Sequence, residues 1–355
     1  MPGKLLNLSR KAALALLVAA MLLAALPSAL ATGGVVNVFN WEDYINDEAI
    51  ALFERETGIK VNYMNFTLNE DMLVQVRTSP GAFDVVFPSD YAIERMIAEG
   101  LLQKLDFSKL PNAEQTLEWL RSPDYDPLNE YSVPYMWGTV GILYDTARVQ
   151  GPVDSWGALF DEAYRGEVFM LDSPRDTLGV ALKYLGYSMN SKNPAEIQEA
   201  ANLLIEQKQK GIVKAYQVDE TKDKMVAGEG ILAVVWSGDA QYAIDLNPDL
   251  AYVIPKEGTN VWVDGMVIPA GARNVDNAHA FIDFLCRPDV AAMNTEYIWY
   301  SSPNAGAIEL LGEDYTENPN LNPSEEQLAG SEYFHDNQDV KVLYDTFWGL
   351  VKNAR

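Results

Sequence analysis

Cysteine is nearly absent from this chain. Its 355 residues include one, Cys286. No internal disulfide can therefore form, and that residue is expected to be a small buried apolar group within a helical stretch, 278–286. Histidine is almost as scarce, with two copies. His279 falls in a helix that reads as surface-facing, and His335 in the C-terminal segment. No His/Cys/Asp cluster stands at metal-ligand spacing, and no Ser–His–Asp order suggests nucleophilic catalysis. Neither a metal nor a cofactor is expected. Basic side chains are also few: 26 Lys and Arg face 51 Asp and Glu, a formal charge of −25. Nucleic acid is excluded as a partner, because a phosphate backbone needs a basic surface. An acidic field raises the local concentration of cations instead. There is no internal repeat, no low-complexity tract and only one long apolar run.

That run lies at the N-terminus. Lys4, Arg10 and Lys11 precede an apolar stretch, 12–26, and Ala29-Leu30-Ala31 has the small-x-small form of a cleavage site. Residues 1–31 read as a secretory signal peptide, removed after export. The run is short of the ~20 residues that a spanning helix needs, which argues against membrane insertion. No cysteine stands at the cut to carry a lipid. Loss of those three basic residues takes the formal charge from −25 to −28. What remains is long enough for two domains and a sizeable core.

Strand and helix patterns alternate after the signal, which argues for an α/β fold with mainly parallel sheets. Residues 35–41 alternate as a strand, 47–57 read as a helix closed by Gly58, and 59–63 and 83–87 read as strands with a helix, 70–77, between them. The pattern resumes with a strand over 167–171, a helix opened by Asn193-Pro194 and closed at Gly211, strands over 231–236 and 260–269, and helices over 277–286 and 289–299. Residues 312–331 are acidic and proline-bearing and read as an irregular surface segment.

What the sequence does contain is aromatic–acid couplets at strand ends. They are Asn40-Trp41-Glu42-Asp43-Tyr44, Trp236-Ser237-Gly238-Asp239 and Trp262-Val263-Asp264. Ser89-Asp90-Tyr91 and Asp172-Ser173-Pro174-Arg175-Asp176 follow apolar strands in the same way. An indole face attracts a cation through its quadrupole and a carboxylate attracts it by charge. In open α/β sheets, ligands bind outside the carboxyl ends of strands. Sites at strand ends in both halves imply a ligand, an organic cation, held between two lobes. Each residue alone has a plainer reading: tryptophan as core, aspartate as cap or turn residue.

Taken in order, these segments resemble the periplasmic spermidine/putrescine-binding proteins of polyamine ABC transporters. Further matching stretches are Thr57-Gly58-Ile59-Lys60-Val61, 83–91, Ser132-Val133-Pro134-Tyr135-Met136-Trp137-Gly138, Ser155-Trp156, 262–269, 284–290 and Tyr300-Ser301-Ser302-Pro303-Asn304. The resemblance implies a two-lobed type II periplasmic-binding-protein fold, with lobes 32–139 plus 266–304 and 140–265 plus 305–355. Crossovers are expected at 138–141 and near Gly265 and Pro303. It implies a monomeric, non-enzymatic receptor that closes on a polyamine, putrescine or spermidine, and delivers it to membrane permease subunits.

The resemblance also implies roles. Trp41 and Tyr44 line the ligand, Asp43 pairs a charge, and Glu42 stands where relatives often have Ser or Thr. Ser89 and Tyr91 are contacts from the first lobe. Trp236, Trp262 and Tyr300 are walls, and Asp264 pairs a central amine. Ser173 stands where spermidine-binding relatives have an acid, with Asp172 before it, and Asp176 stands for their glutamate. Asp239 replaces a small polar residue of the spermidine type but matches the aspartate of putrescine-binding relatives. Phe334 falls near a glutamine contact of the family. A same-fold receptor for another solute, a polyamine sensor and an exported carboxylate-dependent hydrolase are the rival readings.

Overall fold

The computed structural model describes residues 33–355, so the expected signal peptide lies outside the described residues. The chain runs β1 (Val35–Trp41), α1 (Asp47–Thr57), β2 (Lys60–Phe66), α2 (Asn69–Thr78), β3 (Val85–Val86), α3 (Asp90–Ala98) and β4 (Ser132–Asp145). It continues with β5 (Val168–Leu171), α4 (Pro174–Tyr184), α5 (Pro194–Gln209), β6 (Val213–Gln217), α6 (Glu220–Val226), β7 (Leu232–Trp236), α7 (Ser237–Leu246), β8 (Leu250–Val253) and β9 (Val261–Val267). The last elements are α8 (Val275–Leu285), α9 (Pro288–Ile298), α10 (Ala305–Leu311), α11 (Glu313–Thr316) and α12 (Lys341–Asn353).

Local chemistry sets these boundaries. The Asn46 side chain accepts from the Glu48 amide to open α1, two acids fill its first turn, and Gly58 ends it at φ 70°. Asn193 and Pro194 open α5 in the same way.

Two sheets share one strand. In the first, β1 pairs in parallel with β2 and β3, and β9 lies antiparallel between β3 and β4. In the second, β5 pairs in parallel with β6 and β7, while β4 lies antiparallel between β7 and β8. Each sheet is thus mixed. The parallel pairs are joined through helices, whereas β4 and β9 arrive from the other sheet and run against their neighbours. Within β4, residues Ser132 to Thr139 pair with β9 in the first sheet, and Val140 to Tyr144 pair with β7 in the second. Two glycines make the change of sheet possible. A Cβ at Gly138 would lie 2.6 Å from the Trp262 ring, and one at Gly141 would lie 2.5 Å from the Val253 carbonyl oxygen.

Both faces of both sheets are covered. Phe53, Phe281 and Ile282 pack on Val36, Val38 and Val133 on one side of the first sheet. Met72, Ile93 and Met96 pack on Phe39, Val86 and Val263 on the other. In the second, α4, α5 and α12 bury Leu178, Leu204 and Val351 against Val140, Met170 and Val234, while Met225 and Ala240 cover Phe169 and Val235. Trp262 is packed against the cores of both sheets. Cys286 is buried in the first, and burial pushes its thiol pKa up. His279 departs from the surface reading. It is 3 % exposed, and its Nε2 accepts from the Asp106 amide while Nδ1 contacts the Val275 carbonyl. It therefore braces the loop at 106 against α8. Among the described residues, no helix is long and apolar enough to cross a membrane, and no group of three or more His, Cys, Asp or Glu could hold a metal ion.

Candidate functional site

Asp264 lies in β9, 7 % exposed, and both of its oxygens are occupied. Oδ2 accepts from the Tyr44 hydroxyl at 2.8 Å, and Oδ1 from the Ser89 hydroxyl at 2.6 Å. No basic side chain of the described residues pairs with it. Burial raises its pKa to about 6, against the lowering effect of those two hydroxyl donors. A buried carboxylate held only by neutral donors carries its charge without a compensating cation.

The turn after β1 aims Tyr44 at it. Asn40, fully buried, accepts from the Trp41 amide at 2.8 Å and donates to the Tyr44 carbonyl, which also accepts from the Tyr135 hydroxyl at 2.9 Å. Ser89 precedes α3 but does not cap it; its hydroxyl goes to Asp264 instead. Asn69 donates to the Ser89 and Tyr91 hydroxyl oxygens at 3.0 Å each, tying both to α2.

Aromatic rings continue the wall. Trp262 and Tyr300 meet edge to face with centroids 4.8 Å apart, and Tyr44 meets Tyr300 at 6.1 Å and Tyr135 at 5.6 Å. Trp41 tilts against Phe66 at 4.5 Å, and the indole N–H groups of Trp41 and Trp262 are buried without a protein acceptor. The second lobe closes on Tyr300 through the β7–α7 corner, where a Cβ at Gly238 would lie 2.3 Å from the Tyr300 ring. Trp236 caps this corner and packs on the second core. Asp239, in the first turn of α7, lies next to Gly238 and is paired with Lys222 at 3.0 Å. Burial raises the Asp239 pKa against the pull of Lys222. For Lys222 burial pulls the pKa down, but Asp239, Asp219 and Asp223 together raise it. Lys222 is thereby held as a charged ammonium in direct contact with the carboxylate.

The remaining expected residues stand apart from the Asp264 group. Asp43 is exposed in the turn at φ 52° and makes no hydrogen bond to it. Ser173 caps α4: its hydroxyl donates to Asp176 Oδ2 at 2.5 Å and accepts from the Asp176 amide. Both are thereby occupied by each other. Asp172 pairs with Lys352 of α12 at 2.7 Å. Phe334 is buried under the Arg175 guanidinium, 4.4 Å from its ring centroid.

Three residues carry more than the motifs foretold. Arg175 reaches within 5.8 Å of the Tyr91 ring and bonds the His335 carbonyl. Asp90 is buried, with one oxygen lacking a partner, and burial holds its pKa far above the ordinary range. Lys222 had no signal at all, since a lysine in a short helix of alternating charges, Glu220 to Val226, reads as solvated. A cavity of about 520 Å³ lies beside the C-terminal segment, lined by Trp119, Asp124, Glu332, Tyr333 and His335 among others, and holds none of the expected site residues.

A two-lobed α/β receptor with a buried anionic site is the class that fold and geometry define. The chain belongs to the bacterial extracellular solute-binding protein family, whose profile matches residues 48–323. It is 35% identical to the spermidine/putrescine-binding periplasmic protein of Salmonella typhimurium over 319 residues, 89% of this chain and 91% of the relative. It is 34% identical to the putrescine-binding periplasmic protein SpuD of Pseudomonas aeruginosa, covering 85% of this chain and 87% of that one. A spermidine/putrescine ABC transporter substrate-binding protein of Streptococcus pneumoniae superposes with a TM-score of 0.82 at 35% identity, covering 90% of this chain and 99% of that one.

Proposed function

We propose that this protein is an exported receptor that captures a polyamine, putrescine or spermidine, between its lobes and delivers it to an ABC permease. One observation carries the reading: Asp264 is buried without a basic partner, bonded by Tyr44 and Ser89 and flanked by the Trp262–Tyr300 pair. A ligand ammonium would supply the missing charge, and the rings would cover its methylene chain with cation–π attraction of roughly 0.5–2 kcal/mol each. The names of the relatives support the same chemistry. Residues 1–31 are proposed as a cleaved signal peptide, and the mature chain as a periplasmic monomer without enzymatic activity. We place the second lobe crossing at Asn260–Val261, since β9 pairs within the first sheet from Val261 onward.

Calorimetry and thermal melts with putrescine and spermidine test this. A ligand at 100 times its Kd adds about 2.7 kcal/mol of stability, so the melting temperature should rise by several degrees. Asp264→Asn should remove most of that rise, and the polyamine should be recovered unaltered after incubation. Stabilisation by a sugar or a metal ion but by no polyamine overturns the reading.

A further inference from the structure

Two carboxylates lie against the Tyr300 end of the aromatic wall, and only one of them lacks a cation. Asp264 has hydroxyl donors alone. Asp239 has Lys222, Nζ to Oδ1 at 3.0 Å, with side chains 28% and 14% exposed. The lysine reaches across from α6 and passes its ammonium 5.6 Å from the Tyr242 ring centroid. Asp239 is joined to the site through Gly238, whose Cα faces the Tyr300 ring with no room for a side chain. The protein thus carries an ammonium on a four-carbon stem, seated on the carboxylate beside the Tyr300 wall.

We propose that Lys222 is a specificity-determining residue, a tethered ammonium that fills the Asp239 end of the site and confines ligand charges to the Asp264 end. The inference rests on the polyamine reading above. Its physical basis is exchange. A ligand amine that reached Asp239 would have to displace Lys222, leaving the number of ion pairs unchanged and moving one ammonium from a shielded site to water. Such an amine adds almost nothing to affinity, while its own desolvation still costs. A third amine is therefore poorly rewarded, and the site favours the shorter diamine. With Lys222 removed, Asp239 would be a shielded charge without a partner, and a ligand ammonium that reached it would gain the pairing that the lysine now holds.

Calorimetry on the mature protein at one fixed salt concentration tests this, using Lys222→Met to keep the stem without the charge. Spermidine affinity should rise at least tenfold relative to putrescine in Lys222→Met. Adding Asp239→Asn to that variant should return the ratio to its wild-type value. A spermidine-to-putrescine ratio within twofold of wild type in Lys222→Met overturns the proposal. The crystal structure of the wild-type protein with putrescine gives a readout that needs no variant. Lys222 should remain on Asp239, and a ligand nitrogen on Asp239 with Lys222 swung away sinks the idea. If neither polyamine binds the wild type, the polyamine reading falls and takes this inference with it; if both bind and the ratio stays put, only this inference falls.

Discussion

Asp264 sets the electrostatics of the site at the scale of one residue. In an unfolded chain it would titrate near pH 4, and in the fold near 6. The folded state therefore holds the proton more tightly. In the unliganded protein, stability falls as pH rises from about 4 to 6, and above 6 the buried charge costs the fold about 3 kcal/mol. A ligand ammonium offsets that cost only when the carboxylate is ionised. Polyamine affinity should thus be flat above pH 7 and weaken roughly tenfold by pH 5. Titration calorimetry in buffers of different ionisation enthalpy should detect proton release on binding near pH 6. Asp264→Asn should melt no lower than wild type without ligand at pH 7.5, since one hydroxyl still donates to the amide oxygen while the other turns to accept from the amide nitrogen. A pH-independent wild-type affinity between 5 and 7 would show that Asp264 is not the ligand's charge partner.

At the scale of elements, the β7–α7 corner shows how a site depends on one absent side chain. Gly238 admits the Tyr300 ring against its backbone, and a methyl there would also meet the Trp299 carbonyl oxygen at 3.0 Å. The ring cannot yield freely, because Tyr300 is packed edge to face against Trp262. Gly238→Ala should cost about 1–3 kcal/mol of stability from overpacking and displace Tyr300. Ligand affinity should fall tenfold or more while circular dichroism stays native-like; full affinity in a folded Gly238→Ala would remove Tyr300 from the wall. Much of this corner was legible in the sequence, since Trp236-Ser237-Gly238-Asp239 follows an apolar strand. Its partner Lys222 was not, because an ion pair 17 residues apart in sequence leaves no periodic trace. The Ser173–Asp176 turn reads in the structure as a helix cap, the ordinary role of serine before proline. β4 escaped notice as a strand because Pro134, Gly138 and Gly141 interrupt it. The structure explains all three, with Pro134 at a bulge and both glycines where the strand changes sheets. His279 misled because helix periodicity cannot foresee the loop at 106 that covers it.

The whole molecule is held by β4, the strand that serves both sheets, and by a C-terminal strap that touches both sheets' helical layers. Glu332 pairs with Lys183 of α4, and its backbone bonds Thr259 and Val261 at the start of β9. Three residues on, the strap reaches α3 of the first lobe, where Glu94 accepts from the Asp336 amide at 2.8 Å and lies 3.3 Å from His335 Nδ1. Arg175 holds the His335 carbonyl from behind and faces Tyr91 across the lobes. The strap therefore links the lobes at a point far from the strand crossovers in sequence. Only contacts made in the closed arrangement can bias closure, and a ligand's apparent affinity scales with the closed fraction. Glu94→Ala removes the acceptor and leaves the Asp336 amide to water. A hydrogen bond at this partly exposed position contributes about 1 kcal/mol, so polyamine Kd should weaken roughly fivefold. The melting temperature without ligand should stay within a few degrees of wild type, because both cores are untouched. Small-angle scattering of the liganded variant should show a larger radius of gyration than liganded wild type. If Kd and radius both match wild type, the Glu94 contact plays no part in closure and the crossovers alone set the hinge.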